Sequence, residues 1–387
     1  MTETATATPT PDALASVLAD APFVRLVATD DGDAVAATGL LAGALRERAV
    51  PFQARVSRDP LPETGDDEVA VTVGVDAGPH SLPGGGCPAS TTAFAVAREL
   101  GVDPDPVVAL AGGVAAGSIP GTDGTGDALE AAERAADVTR RPGVGIPCVD
   151  LADGLSASTL LRTPYSGDPE ATRATIATLG LPATLDEDAH RRLASLVAVD
   201  VAAAEGASDR AASAVERALR PYAIASTTPG APFETVGGYA DVLDVLAREE
   251  PGVGVALAIA TDPGDGLVSA ARDAWRAHGL AAHRALDAAT TGRYDGCVVA
   301  RVDAPASTIP TIARIVRDFR SPEPVAVVLD ESSGRIAAAA TESMGLGDVC
   351  RSVAAELGGE GWGADARGGV DTTADPTDAL AALREAL

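Results

Sequence analysis

The run Phe23-Val24-Arg25-Leu26-Val27-Ala28-Thr29-Asp30-Asp31-Gly32-Asp33 decides how this chain is read, because an apolar stretch gives way to an acidic turn. Residues 23–27 read as a buried strand. Ala36 to Arg48 carries apolar residues at helical spacing and ends in the charged turn Arg46-Glu47-Arg48. The acidic turn therefore sits at the carboxyl end of a strand in an α/β sheet, the usual ligand position of such sheets. Hard divalent cations such as magnesium and manganese take oxygen ligands, so Asp31 and Asp33 are candidate ligands for one ion. A solvated acidic turn is the competing reading in so acidic a chain.

Two further segments have the same character. Val69-Ala70-Val71-Thr72-Val73-Gly74-Val75 runs into Asp76-Ala77-Gly78-Pro79, again placing a carboxylate just past a strand. Val107 to Ala111 leads into Gly112-Gly113-Val114-Ala115-Ala116-Gly117, a third element of similar type. With these in place the chain resembles the DHH phosphoesterase superfamily, and within it the RecJ-like archaeal branch. That family opens on His-x-Asp-x-Asp-Gly, which falls here on Thr29, Asp31, Asp33 and Ala34: both aspartates stand, the histidine and glycine do not. A second family aspartate matches Asp76. The Asp-His-His triplet expected between Asp76 and Pro88 is absent, leaving His80 as the one imidazole in that stretch, and the fourth metal aspartate falls on Ala116. The metal set implied by the resemblance is Asp31, Asp33, Asp76 and His80.

The resemblance extends to the far end. Val236 to Leu243, followed by Val253 to Leu257, resembles the opening of the DHH-associated nucleic-acid-binding domain, and Phe319–Leu329 with Leu346–Gly363 resembles its close. In active members a terminal Gly-Gly-x-Gly-Gly-Gly-His loop grips substrate phosphate through backbone N–H groups and the imidazole. Here it reads Gly358-Gly359-Glu360-Gly361-Trp362-Gly363-Ala364, and Ile336 to Thr341 lacks the arginine of the family. The implied nucleic-acid contacts are Gly358, Gly359, Gly361, Trp362, Gly363 and Arg367, with Arg351 nearby. Trp362 is read either as a base-stacking face or as a ring closing the gap left by the histidine.

The implied fold class is α/β, a two-domain DHH-type architecture. A flexible tail is expected over 1–20, a parallel-sheet DHH-like domain over 21–140, a helical connector over 141–230, and an α/β DHH-associated domain over 231–387. Thr163-Pro164-Tyr165-Ser166-Gly167-Asp168 is similar to the connector that follows the first domain in RecJ-like proteins.

Phosphodiester hydrolysis by two metals needs several carboxylates and imidazoles holding ions about 3.5–4 Å apart, so that one activates water and the other takes charge from the leaving oxygen. Three aspartates suit one weakly bound Mn or Mg ion and not two. His278 and His283 are five residues apart, the wrong spacing for one helix face, and His190 sits in a charged helix start.

Composition adds the setting. There are 56 acidic residues against 29 basic ones, a formal charge of −27, and every basic residue is arginine, a pattern suited to a cytoplasm of molar salt. In ordinary salt such a charge repels a nucleic-acid backbone; at molar salt the Debye length falls to about 3 Å and direct arginine–phosphate contacts persist. Cys87, Cys148, Cys297 and Cys350 stand far apart, which indicates neither a zinc site nor a disulfide framework. Met1 to Pro11 lacks a basic start and an apolar core, so a cytoplasmic location is expected, with no membrane partner.

Two functions follow from the resemblance. One is a catalytically degenerate DNA replication or repair factor that binds GINS and the replicative helicase, and single-stranded DNA or RNA. The other is a manganese- or magnesium-dependent RecJ-type exonuclease acting 5′ to 3′ on single strands.

Overall fold

The structure is a computed structural model that describes residues 10–58, 65, 67–182, 184–226, 228 and 232–387. Its elements run α1 (Pro11–Ala19), β1 (Val24–Ala28), α2 (Gly32–Glu47), β2 (Phe52–Val56), β3 (Val69–Val73), β4 (Ser81–Leu82), α3 (Ala89–Glu99), α4 (Pro106–Ala115), α5 (Gly126–Arg134) and β5 (Val138–Arg140). The chain continues with α6 (Leu151–Ala157), α7 (Pro169–Ala177), α8 (Glu187–Ala202), α9 (Arg210–Ala218), β6 (Tyr222–Ile224), α10 (Val236–Glu249), α11 (Pro251–Ile259) and α12 (Asp265–Ala288). It closes with β7 (Thr290–Tyr294), β8 (Cys297–Val302), α13 (Ile309–Ile315), β9 (Val325–Asp330), β10 (Ile336–Ala340), α14 (Leu346–Leu357), β11 (Glu360–Ala364), β12 (Arg367–Asp371) and α15 (Pro376–Ala386).

Two compact units result, one of Met1–Arg140 with Tyr222–Ala274, the other of Arg141–Pro221 with Trp275–Leu387. This differs from the expected cuts at 140 and 230. Residues 222–274 return to the first unit because β6 pairs antiparallel with β5, Val138 opposite Ile224, and because α10 and α11 pack on α2. The expected connector helices α8 and α9 pack into the core of the second unit. Part of the expected tail is also a helix: Pro11 starts α1, which buries Leu14, Ala15 and Leu18, while residues 1–9 lie outside the described residues.

In the first unit a parallel sheet has strand order β2-β1-β3-β4, and in-register pairing sets Ala28 beside Val73. The acidic turn after β1 and the Asp76 turn after β3 thus leave the same edge of the sheet. The run from Val107, expected to match the two strands, is the helix α4. Asp105 caps it by accepting from Val107 N at 2.7 Å and Pro106 holds its first position, signals that outweigh an apolar run without period. Helix α2 is buried along most of its length among α3, α4, α10 and α11, which its small residues permit.

The second unit is built on a six-stranded mixed sheet ordered β11-β12-β10-β9-β8-β7, with β8 and β9 parallel and the other pairs antiparallel. Alternation along the strands divides two cores. Val298, Ala300, Val328 and Ala337 face one with α8, α9 and α13, whereas Val299, Val327, Leu329 and Ile336 face the other with α14 and α15. No helix among the described residues is long and apolar enough to cross a membrane.

Helix α2 carries its own control for close packing. A Cβ on Gly39 would lie 2.3 Å from Ala258 Cβ, while a Cβ on Gly43 meets nothing within 4 Å. Gly39→Ala is expected to destabilise by about 1–3 kcal/mol and Gly43→Ala to stabilise by up to about 1 kcal/mol, read from urea unfolding midpoints in molar KCl.

Candidate functional site

Each aspartate of the acidic turn is engaged by the fold. Asp31 caps α2, its Oδ1 accepting from Ala34 N at 3.0 Å while Oδ2 accepts from the Thr29 hydroxyl. Asp33 reaches across to α3: Oδ2 accepts from Ala89 N at 2.7 Å and Oδ1 from Ser90 N at 2.9 Å. The residue before α3 is Pro88, whose side chain offers no acceptor, so Asp33 satisfies from α2 the N–H groups that a local cap leaves open. Gly32 N donates to Asp244 Oδ1 at 3.2 Å, and Asp244 in turn pairs with Arg248 at 3.0 Å. Asp244 and Arg248 were not singled out from sequence; the available signal was a pair of acidic residues, Asp241 and Asp244, within the apolar run of residues 236–246.

The other two expected ligands lie apart from this arrangement. Asp76 is exposed and accepts from Ser81 Oγ at 2.7 Å, and the His80 carbonyl accepts from Thr72 N at 3.0 Å, where the chain begins to pair with β3. Asp31 and Asp33 are brought together, but among the described residues no group of three or more His, Cys, Asp and Glu is gathered to hold a metal ion. The donor set also opposes a hard cation. Both Asp33 oxygens and one Asp31 oxygen already accept from fixed backbone N–H groups, which leaves fewer lone pairs for a cation. These residues do not fit a two-metal centre.

The expected glycine-rich loop is a hairpin of β11 and β12. Gly358 ends α14 with φ +70°, a left-handed position where glycine costs least. A Cβ on Gly359 would lie 2.4 Å from Asp371 O, one on Gly361 2.4 Å from Arg351 Cα, and one on Gly363 2.3 Å from Arg367 O. The glycines let α14 and the facing strand approach at backbone distance, a packing role that accounts for them without a phosphate. Trp362 is 9% exposed, lies in the core with Ala337 and Ala339, and covers Gly369, whose Cβ would sit 2.2 Å from its Cζ2. The ring thus packs inward on the sheet. Arg351 holds the hairpin by donating to Gly363 O at 3.1 Å and pairing with Asp348 at 2.6 Å, and Arg367 begins β12 opposite Ala339.

The other three histidines have structural partners. His190 Nε2 lies 2.6 Å from Arg141, His278 Nε2 lies 2.9 Å from Thr311 Oγ1, and His283 Nε2 lies 2.9 Å from Ser158 O.

Against this geometry, the comparison with known proteins is direct. The chain is 44% identical over 386 residues to the uncharacterized protein rrnAC1427 of Haloarcula marismortui, covering 97% of this chain and 96% of the relative. The family model of the rrnAC1427 C-terminal domain matches residues 289–385, from just before β7 into α15. The chain belongs to the rrnAC1427 family. Among solved structures, CDC45 from Entamoeba histolytica aligns over 97% of this chain and 98% of its own at a TM-score of 0.62 and 9% identity. RecJ from Thermus thermophilus in complex with Mn2+ aligns over 97% of this chain and 54% of its own, at a TM-score of 0.47 and 12% identity. The fold of this rrnAC1427-family chain, α/β and built as two units, is thus similar to that of CDC45 along its length.

Burial first, and the neighbouring Asp31 second, push the Asp33 carboxyl up to about 6 from its ordinary 3.8. A raised folded-state value means that the folded form holds the proton more tightly. The associated stability is present below about pH 4 and is lost as pH rises through 6, by roughly 3 kcal/mol for a two-unit shift. The unfolding free energy of the wild type minus that of Asp33→Asn is expected to fall across this window in chemical denaturation at molar KCl. A pH-independent difference would contradict the assignment.

Proposed function

We propose that this protein is a non-catalytic DNA replication or repair factor. In this reading it binds GINS through its first unit and helps hold a single strand at the replicative helicase, acting through its fold rather than through hydrolysis. The observation that carries the reading is the commitment of Asp33 to the N-terminus of α3, together with Asp31 to that of α2. Carboxylates at the position of a phosphoesterase metal site are spent on the protein's own N–H donors. The end-to-end match to CDC45 adds support at the level of fold. Fold alone carries function weakly, so the partner is the part to test.

The charge of the chain sets the conditions. With a net −27, long-range repulsion from DNA is removed only where salt screens it, and counterion release then adds little affinity. Binding to a strand would depend on backbone amides and on local arginines.

The deciding experiment is manganese-dependent nucleotide release from labelled single-stranded DNA and RNA in molar KCl, by wild type and Asp31→Ala, with GINS co-elution measured on the same preparations. The expected result is no release above background by either protein, with GINS retained by both. Release by wild type in the 5′ to 3′ direction that Asp31→Ala loses would replace this reading with a RecJ-type exonuclease. Absence of GINS co-elution would remove the partner.

A further inference from the structure

The second unit contains a pocket of about 210 Å³ whose chemistry is unlike that of the acidic turn. One wall is apolar, formed by Val201, Ala204 and Phe319; the charged groups of the lining are Arg162, Arg320, Asp287 and Glu205. In a chain with this excess of acid, two guanidiniums converging in one cavity call for an account.

Arg162 is only 6% exposed. It pairs with Asp287 and makes two long contacts, to Ser166 O at 3.5 Å and to His283 Nδ1 at 3.4 Å. Because His283 Nε2 faces the Ser158 carbonyl and donates to it, Nδ1 is the acceptor and the ring is neutral, so it brings no compensating charge. Arg320 stands 3.6 Å from the same Asp287 oxygen and donates to Leu286 O at 3.3 Å. Among the described residues, Asp287 is the one carboxylate in ion-pair contact with these two guanidiniums, and its side chain is 51% exposed. Two rigid forks of five donors each therefore converge on one half-exposed carboxylate oxygen, and their other contacts are to neutral acceptors. Burial, and then repulsion from Arg162, hold Arg320 below its ordinary value, while Asp287 and Glu205 act in the opposite direction.

The backbone is adapted to this placement. Residues Val316–Arg320 form a π turn closed by Ser321 N donating to Val316 O at 2.7 Å, and the Phe319 carbonyl accepts from Ser208 N at 2.8 Å. A π turn is a rare, costly conformation that recurs at functional sites. Here it sets Phe319 and Arg320 side by side on the pocket wall.

We propose that this pocket binds a small oxyanion, a phosphate or carboxylate group, held between the Arg162 and Arg320 guanidiniums in exchange with Asp287. The oxyanion shares the guanidinium N–H donors with Asp287, and the apolar wall accommodates the small body that carries it. Charge-assisted bonds from two arginines supply the affinity, and Asp287 competes for them, which keeps the site reversible. The pocket lies wholly within the second unit and does not rest on the reading of the acidic turn.

Calorimetric titration of the full chain with inorganic phosphate in molar KCl near neutral pH tests the assignment, since that salt screens unspecific ionic binding. One saturable site per chain is expected, weakened at least about tenfold in Arg320→Gln and tightened several-fold in Asp287→Asn, which removes the competing carboxylate. Acetate serves as a second arm: competition by acetate identifies a carboxylate-bearing ligand, and binding of phosphate alone identifies a phosphate-bearing one. No saturable binding by wild type and Asp287→Asn, or equal affinity in wild type and Arg320→Gln, overturns the proposal.

Discussion

The N–H groups of Ala89 and Ser90 begin a helix behind a proline that offers no cap, and the carboxylate that receives them comes from another helix. This contact ties the first turn of α2 to the first turn of α3 and fixes the acidic turn between them. A buried carboxylate is costly unless its lone pairs are filled, and here both oxygens are filled by backbone donors that cannot rotate away. The arrangement is self-sufficient. It gives Asp33 a structural reason to stand at the end of a parallel strand: removing it would leave two buried N–H groups unpaired, whatever chemistry the turn performs.

Where local signals governed, the sequence was a good guide. The strand at 24–28, the acidic turn and the long helix after it are legible because apolar period, turn residues and a capping aspartate agree over a short span. Val107 to Ala111 misleads because an apolar run has no period of its own, and the Asp105-Pro106 start that decides it is brief. The glycine-rich end is ambiguous for another reason. Glycines that let a backbone approach phosphate and glycines that let a helix approach a strand look alike in sequence, and only the position of Gly361 against Arg351 separates them. The Asp33 donors lie more than fifty residues away and the Asp244 contact more than two hundred, distances at which pattern reading has no purchase.

Arginine serves as a general-purpose donor in this molecule. Arg210 closes onto the Ser321 and Glu323 carbonyls, Arg314 onto Thr159, and Arg351 onto Gly363. Such forks depend on direct geometry rather than on long-range attraction, so they persist in salt concentrations that screen surface pairs. A chain without lysine gives up flexible point charges and keeps planar, directional ones, which suits both its internal staples and the arginine pair at the second-unit pocket.

The interleaving of the two units in the chain also governs how the protein is made. The first unit needs residues 222–274 to cover α2, so at the moment residue 140 leaves a ribosome its parallel sheet still lacks α10 and α11. The helices from 141 to 221 emerge next, before any strand of the sheet they will cover has been synthesised. Each unit thus spends part of synthesis with an apolar face bare, the first until residue 274 and the second until the strands β7 to β12 have been made. Such nascent chains favour fast elongation or a chaperone that shields the waiting helices.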